Sequence, residues 1–326
     1  MFMSTMFMST MFMPSMSMPN MSIVKSLTSQ GVLLVALTLL NASAQESQQT
    51  FATPQEAAQA LVNAADQNDT NALMKLFGPA GKDIVQSGDA ADDKTVRAEF
   101  ASRAHAKMLV TPDKDNPNRV TLVVGEQNWP FPVPLISKKG KWYFDAATGR
   151  VEILARRVGR NELAAIDVCR GYVEAQMEYA SRDRDANGIL EYAQHILSAP
   201  GKKDGLYYEG ESESLVPKSF ADAAAVLIQG QGKKPVPYHG YFFHILKAQG
   251  PDAQGGAMDY VVKGTMIGGF ALIAWPAEYG VSGVQTLIVN HQGVVYEKDL
   301  GPQTASLARQ TTRFNPDKTW KRIAGE

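Results

Sequence analysis

The chain has a single cysteine, Cys169, among 326 residues. No internal disulfide is available, so stability must come from packing even in an oxidising compartment. A charge excess is also missing. With 32 basic and 33 acidic residues the formal net charge is -1, so no global field draws the chain toward nucleic acid or an anionic membrane. Long apolar runs are missing too. The longest, Gly31 to Leu40, is about half the roughly 20 residues that a spanning helix needs. The sequence contains no G-x-S-x-G elbow, no phosphate-binding P-loop and no dinucleotide fingerprint, which weakens the familiar hydrolase and nucleotide-binding classes. None of the five histidines has a partner at zinc-ligand spacing. His239 and His244 fall on one expected strand, but an odd spacing sends them to opposite faces.

What is present is ordinary globular composition, 44% hydrophobic and 20% charged, enough for one large or two smaller domains. Residues 1–44 read as a leader. A Met-rich, uncharged repeat runs to about Pro19, and Met21 then opens an export signal. Lys25 is its positive region, Gly31 to Leu40 its apolar region and Ala42-Ser43-Ala44 its cleavage site. The expected mature protein starts near Gln45, is periplasmic or secreted, and has no stable membrane insertion after signal cleavage.

Residues 45–150 form the first expected domain, of α+β class. Thr53-Pro54-Gln55-Glu56 is a capping box, with Glu56 reaching back to the Thr53 amide, and its helix runs to about Asp66. A second helix begins near Asp69 and stops at Gly78-Pro79. A third spans Ala91 to Ala106 with Val96 and Phe100 facing inward. The period then changes from helical to two: Val120, Leu122 and Val124 alternate as in a half-buried strand. Phe131, Val133 and Leu135 share a face but alternate with Pro130, Pro132 and Pro134, which places them on an edge strand. Lys138-Lys139-Gly140-Lys141 is a turn into Trp142–Asp145. Helices on a curved antiparallel sheet resemble, in element order, a cystatin-like or NTF2-like cone.

Ala146 to Gly159 reads as a junction, because Gly149, Gly159 and several arginines interrupt both periodicities. Residues 151–326 form the second expected domain: a long helix capped by Asn161, then an antiparallel sheet. From Ala165 to Ala180 a broad apolar arc includes Cys169, Tyr172 and Met177. From Tyr238 onward the period is two, through Tyr238–Leu246, Tyr260–Val262, Phe270–Trp275, Val284–Val289 and Val294–Tyr296. Asn290-His291-Gln292-Gly293 is a hairpin loop with Gly293 at positive φ.

The segments Tyr238-His239-Gly240-Tyr241-Phe242, Pro276-Ala277-Glu278-Tyr279-Gly280, Ile288-Val289-Asn290 and Gly293 to Gly301, together with Asp204-Gly205-Leu206-Tyr207-Tyr208, resemble a bacterial secreted family catalogued as domain of unknown function 2950. That resemblance covers nearly the whole mature chain and implies export with an uncharacterised role. From Asn161 onward the long helix, the Gly240-Tyr241-Phe242 stretch and the Gly-Val hairpin are weakly similar to pseudopilin globular heads. Pilin-like subunits polymerise through an apolar helix, whereas Arg156, Arg157 and Arg160 precede Asn161 here, so assembly as a pilus is not implied.

Two segments are candidate sites. Asp183, Asp185 and Asn187, with Gly188 at the sharp turn and Glu191 at the ninth position, match the start of a calcium loop. Gln194 stands where the bidentate Glu belongs, and an ordinary polar turn uses the same residues. Tyr207, Tyr208 and Glu209, followed by Glu211 and Glu213, make an aromatic and acidic loop suited to a cation or a sugar, or to anchoring a surface loop. Cys169 lies inside the apolar arc as a small core hydrophobe. Glu174 and Glu178 are one turn apart, with Arg170 one turn before Glu174 on the same stripe. No catalytic constellation emerges. The expectation is a non-enzymatic protein that binds or scaffolds an envelope protein or small ligand, with no nucleic-acid partner. The alternative is an envelope hydrolase with dispersed carboxylates such as Glu209 or Asp259.

Overall fold

The computed structural model describes residues 48–86, 90–184, 187–210, 213–224 and 236–324. The leader, its cleavage site, Asp185 and Glu211 therefore lie outside the described residues. Among the described residues no helix is long and apolar enough to cross a membrane. The fold is mixed α+β, and chain contacts divide it into two compact units, up to Arg156 and from Arg157 onward.

The first unit opens with α1 (Pro54–Asp66) and α2 (Thr70–Phe77). Thr53 caps α1 by accepting the Glu56 amide at 3.2 Å, with Pro54 in the first turn. The Glu56 carboxylate accepts from the Ala52 amide, one residue earlier than the capping box predicts. Asp69 caps α2 through the Ala72 amide, and Gly78 at φ 66° ends it. The short α3 (Lys82–Val85) and α4 (Ala90–Ala106) follow.

The sheet of this unit comprises β1 (Met108–Pro112), β2 (Arg119–Val124), β3 (Trp129–Pro130), β4 (Leu135–Lys138) and β5 (Lys141–Phe144). The order is β1-β2-β4-β5, with β3 also paired to β2. Val120, Leu122 and Val124 bury alternate positions as their period requires, and they meet Leu61, Leu76, Phe100, Phe131 and Phe144 in one core. The expected edge strand over Phe131–Leu135 is corrected here. Phe131 and Val133 are buried, but residues 131–134 belong to no strand, because Pro132 and Pro134 cannot donate to a ladder. Pairing resumes at Leu135, in a strand with neighbours on both sides rather than at an edge. Lys139 and Gly140, both at positive φ, make the tight turn into β5.

The expected junction over Ala146–Gly159 contains the boundary between the two units, but its expected break in periodicity is corrected. Ala146–Ala180 is one continuous 35-residue helix, α5, and the boundary between the two units falls inside it. Its cap is Asp145, whose carboxylate accepts from the Thr148 amide at 3.1 Å and the Thr148 hydroxyl at 2.6 Å. Asn161, read as the cap, instead donates its side-chain amide to the Ser282 carbonyl at 2.9 Å. Glu162 accepts the amides of Val284 and Gln285. Gly149 is there for space, since a Cβ at that position would lie 2.6 Å from Val133 Cγ2. A glycine costs a helix only about 1 kcal/mol relative to alanine, which tertiary contacts readily outweigh.

In the second unit, β6 (His195–Leu197) and β7 (Gly205–Tyr207) form a parallel pair, and α6 (Lys218–Ala224) follows. Next come β8 (Tyr241–Leu246), β9 (Ala248–Gln249), β10 (Met258–Asp259), β11 (Val261–Val262), β12 (Thr265–Met266) and β13 (Ala271–Pro276). The unit closes with β14 (Gln285–Asn290), β15 (Val295–Asp299), α7 (Thr304–Gln310) and β16 (Lys321–Arg322). The main sheet is antiparallel, ordered β16-β15-β14-β13-β8. All six residues of its β13 strand are buried. The buried side of α5 packs into this core through Ala165, Cys169 and Tyr172, and the Tyr172 hydroxyl reaches the Ala271 carbonyl. Met177, expected in the apolar arc, is instead 45% exposed. The fully buried neighbour is Gln176, whose amide bonds the Tyr172 hydroxyl and both backbone groups of Ala193.

Two glycine substitutions test the continuity of α5. Gly159→Ala, whose Cβ meets nothing within 4 Å, should raise stability by about 1 kcal/mol, whereas a hinge at that point would show no gain. Gly149→Ala should lower stability, because Val133 blocks the new methyl; urea denaturation of both variants reads the contrast.

Candidate ligand groove

The second unit contains an open groove of about 590 Å³. One wall is a stripe of α5 running from Ala164 through Gly171 to Glu178, residues that the helical repeat stacks on one face. The opposite wall is Leu215–Pro217 and Phe220 of α6, and the end is closed by Tyr238 and His239. Phe220 is held in place by ring contacts with Tyr238 and Phe243, at 6.2 and 5.0 Å between centroids.

The groove end is built by a turn. Tyr238 and Tyr241 exchange both backbone hydrogen bonds at 3.0 Å, and His239 and Gly240 between them have φ 49° and 75°, the geometry of a two-residue hairpin turn. The expected strand from Tyr238 therefore begins at Tyr241, and His239 and His244 are separated by a turn rather than sharing a strand. A Cβ at Gly240 would clash with the Asn161 amide, so only glycine fits. The His239 ring lies tilted at 51° against Tyr238, with 4.2 Å between ring centroids. Burial, then the nearby Arg160 guanidinium, holds His239 below the usual histidine range.

The α5 rim is acidic. Asp167 pairs with Arg170 at 3.4 Å, and Glu178 pairs with Arg182 at 2.9 Å and Arg184 at 3.2 Å. Arg170 thus bonds Asp167 in place of the expected Glu174, which makes no ion pair or hydrogen bond among the described residues. Glu174 and Glu178 stand side by side on one helix, not on opposite sides of a bond as paired glycosidase carboxylates do. Glu209 is exposed, and Asp259 is on β10 paired with Arg313 at 3.1 Å; neither lines the groove. Cys169 is fully buried, and burial pushes its thiol up to about 12, which leaves it protonated and inert as a nucleophile.

The two sequence candidates are placed elsewhere. The Asp183 carboxylate accepts the amides of Asn187 and Gly188, and Asn187 Oδ1 accepts the Ile189 amide, as in a self-satisfied polar turn. Glu191 accepts from Asn187 Nδ2 and from the Met266 amide. Among the described residues no group of three or more His, Cys, Asp or Glu is placed to hold a metal ion. Tyr207 ends the β7 strand, half-buried, and Tyr208 is 2% exposed with its ring in the core. The aromatic loop therefore turns Tyr208 inward and leaves Glu209 and Glu213 exposed. The groove itself went unread in the sequence. Its signals were the small residues Ala164, Gly171 and Ala175 on one helical stripe and the His-Gly pair closing a turn.

These elements define an α+β chain with a groove beside a long helix. The chain belongs to the family described as "Protein of unknown function (DUF2950)", whose profile matches residues 48–323. No curated protein and no solved structure matches it, so the expected likeness to pseudopilin heads and to cystatin-like or NTF2-like cones is not shown.

The histidines carry a pH prediction. Burial lowers His239, His244 and His291, with Lys247 adding to the effect at His244 and a hydrogen bond to Phe270 opposing it at His291. The unfolded chain takes up these protons near pH 6.5 while the folded one resists. Their contribution is therefore complete above about pH 6.5 and is lost as pH falls through and below that value. The urea midpoint should decline from pH 7 to pH 5, less steeply in His244→Gln; a flat profile would contradict the assignment.

Proposed function

We propose that this protein is a non-enzymatic binding protein of the cell envelope, periplasmic or secreted, whose ligand lies in the groove along α5. The observation that carries this reading is the groove itself. Its volume of about 590 Å³ falls in the ordinary range for ligand pockets, about 300–1,000 Å³. Its floor and far wall are apolar through Val168, Val216 and Phe220, and its carboxylates are paired or unopposed. The leader and its A-x-A site support export, with the mature chain starting near Gln45. A scaffold role toward an envelope protein uses the same surface.

Gly171 supplies the test. A Cβ there meets nothing within 4 Å, so Gly171→Trp should fold normally while filling the groove. Thermal melting of wild type against peptides, cell-wall sugars and small metabolites should show a shift of several degrees with a binder. The same shift should vanish in Gly171→Trp. Turnover of a substrate that a point substitution abolishes without unfolding the protein would establish an enzyme instead.

A further inference from the structure

Resting on the groove as the binding site, we propose that its occupant is an extended, basic peptide segment of about six residues, with basic side chains along α5 and apolar ones against the floor. The length follows from the wall. Ala164 to Glu178 spans fourteen helical steps, about 21 Å, and extended chain covers that distance in about six residues at roughly 3.3 Å each.

The charge pattern selects the sign. Asp167, Glu174 and Glu178 all line the groove, with axial separations of about 10 and about 6 Å; Arg170 already pairs with Asp167, and Arg182 and Arg184 with Glu178, so the unmet charge is centred on Glu174. In an extended peptide, side chains on one side recur about every 6.6 Å, so Glu174 and Glu178 match basic residues two apart, while Asp167 falls between same-side positions. Among the described residues of the far wall no cation lines the groove. Lys218 of α6 is held by both oxygens of Asp222 at 2.7 and 2.8 Å. Among the described lining residues His239 alone is basic, and it sits at the end of the groove. Glu174, without a partner among the described residues, is where a lysine or arginine gains most.

The alternation of the peptide follows from the two walls. Leu215, Val216 and Phe220 face the acidic stripe across the groove, so an extended chain between them presents basic residues to one side and apolar residues to the other. A sugar would match the size but not this division, because its polar groups are spread around the ring.

Three labelled hexapeptides test this on the purified protein by fluorescence anisotropy: lysine alternating with leucine, glutamate with leucine, and serine with leucine. The lysine peptide should bind about tenfold tighter than the glutamate one and weaken as salt rises. Glu174→Gln should weaken the lysine peptide about fivefold and leave the serine peptide unchanged. Gly171→Trp should remove binding of all three. Equal affinity for all three peptides, no binding of the lysine peptide, or an unaffected Glu174→Gln variant overturns the basic-peptide assignment while leaving the groove as a site for another ligand. Undiminished binding to Gly171→Trp overturns the groove itself and both readings with it.

Discussion

The second unit depends on how α5 divides its faces. One side carries Ala165, Cys169, Tyr172 and Gln176 into the core, where the Gln176 amide satisfies the backbone of Ala193 and the Tyr172 hydroxyl together. Buried amides are stable only when such partners are complete. That network sets the rotation of the helix about its axis. With the rotation set, the stripe from Ala164 to Glu178 has to face outward beside α6. The groove is thus a consequence of core satisfaction on the opposite face.

A second set of contacts ties the middle of this helix to the sheet. Asn161 reaches the Ser282 carbonyl, and Glu162 accepts two consecutive amides at Val284 and Gln285. The Tyr241 hydroxyl meets the Gln285 carbonyl. These bonds hold the 282–285 segment and the Tyr238–Tyr241 turn beside the middle of α5, and so place His239 at the groove's end. A carboxylate accepting two backbone amides is a strong, charge-assisted arrangement.

Burial and ion pairing constrain the thiol and most rim carboxylates of the second unit. The thiol is buried and protonated, and the rim carboxylates are either in ion pairs or unopposed across the groove. A catalytic pair needs two groups with different environments on either side of a reacting bond.

The sequence by itself determined the local elements whose signals are short-range. The Thr53 and Asp69 caps, the alternation at Val120–Val124, the Lys139-Gly140 turn and the Asn290–Gly293 hairpin depend on a few adjacent residues and came out where expected. Family membership was also legible, in the segments from Tyr238 to Gly301. Only the tertiary structure decided that α5 runs through Gly149 and Gly159, because Val133 and Ser282 outweigh local propensity there. It likewise decided that Tyr208 points inward, that Gln176 rather than Met177 is buried, and that residues far apart in sequence, 164–178, 215–220 and 238–239, enclose one groove. Those outcomes rest on contacts between distant segments, and no periodicity along a single chain encodes them.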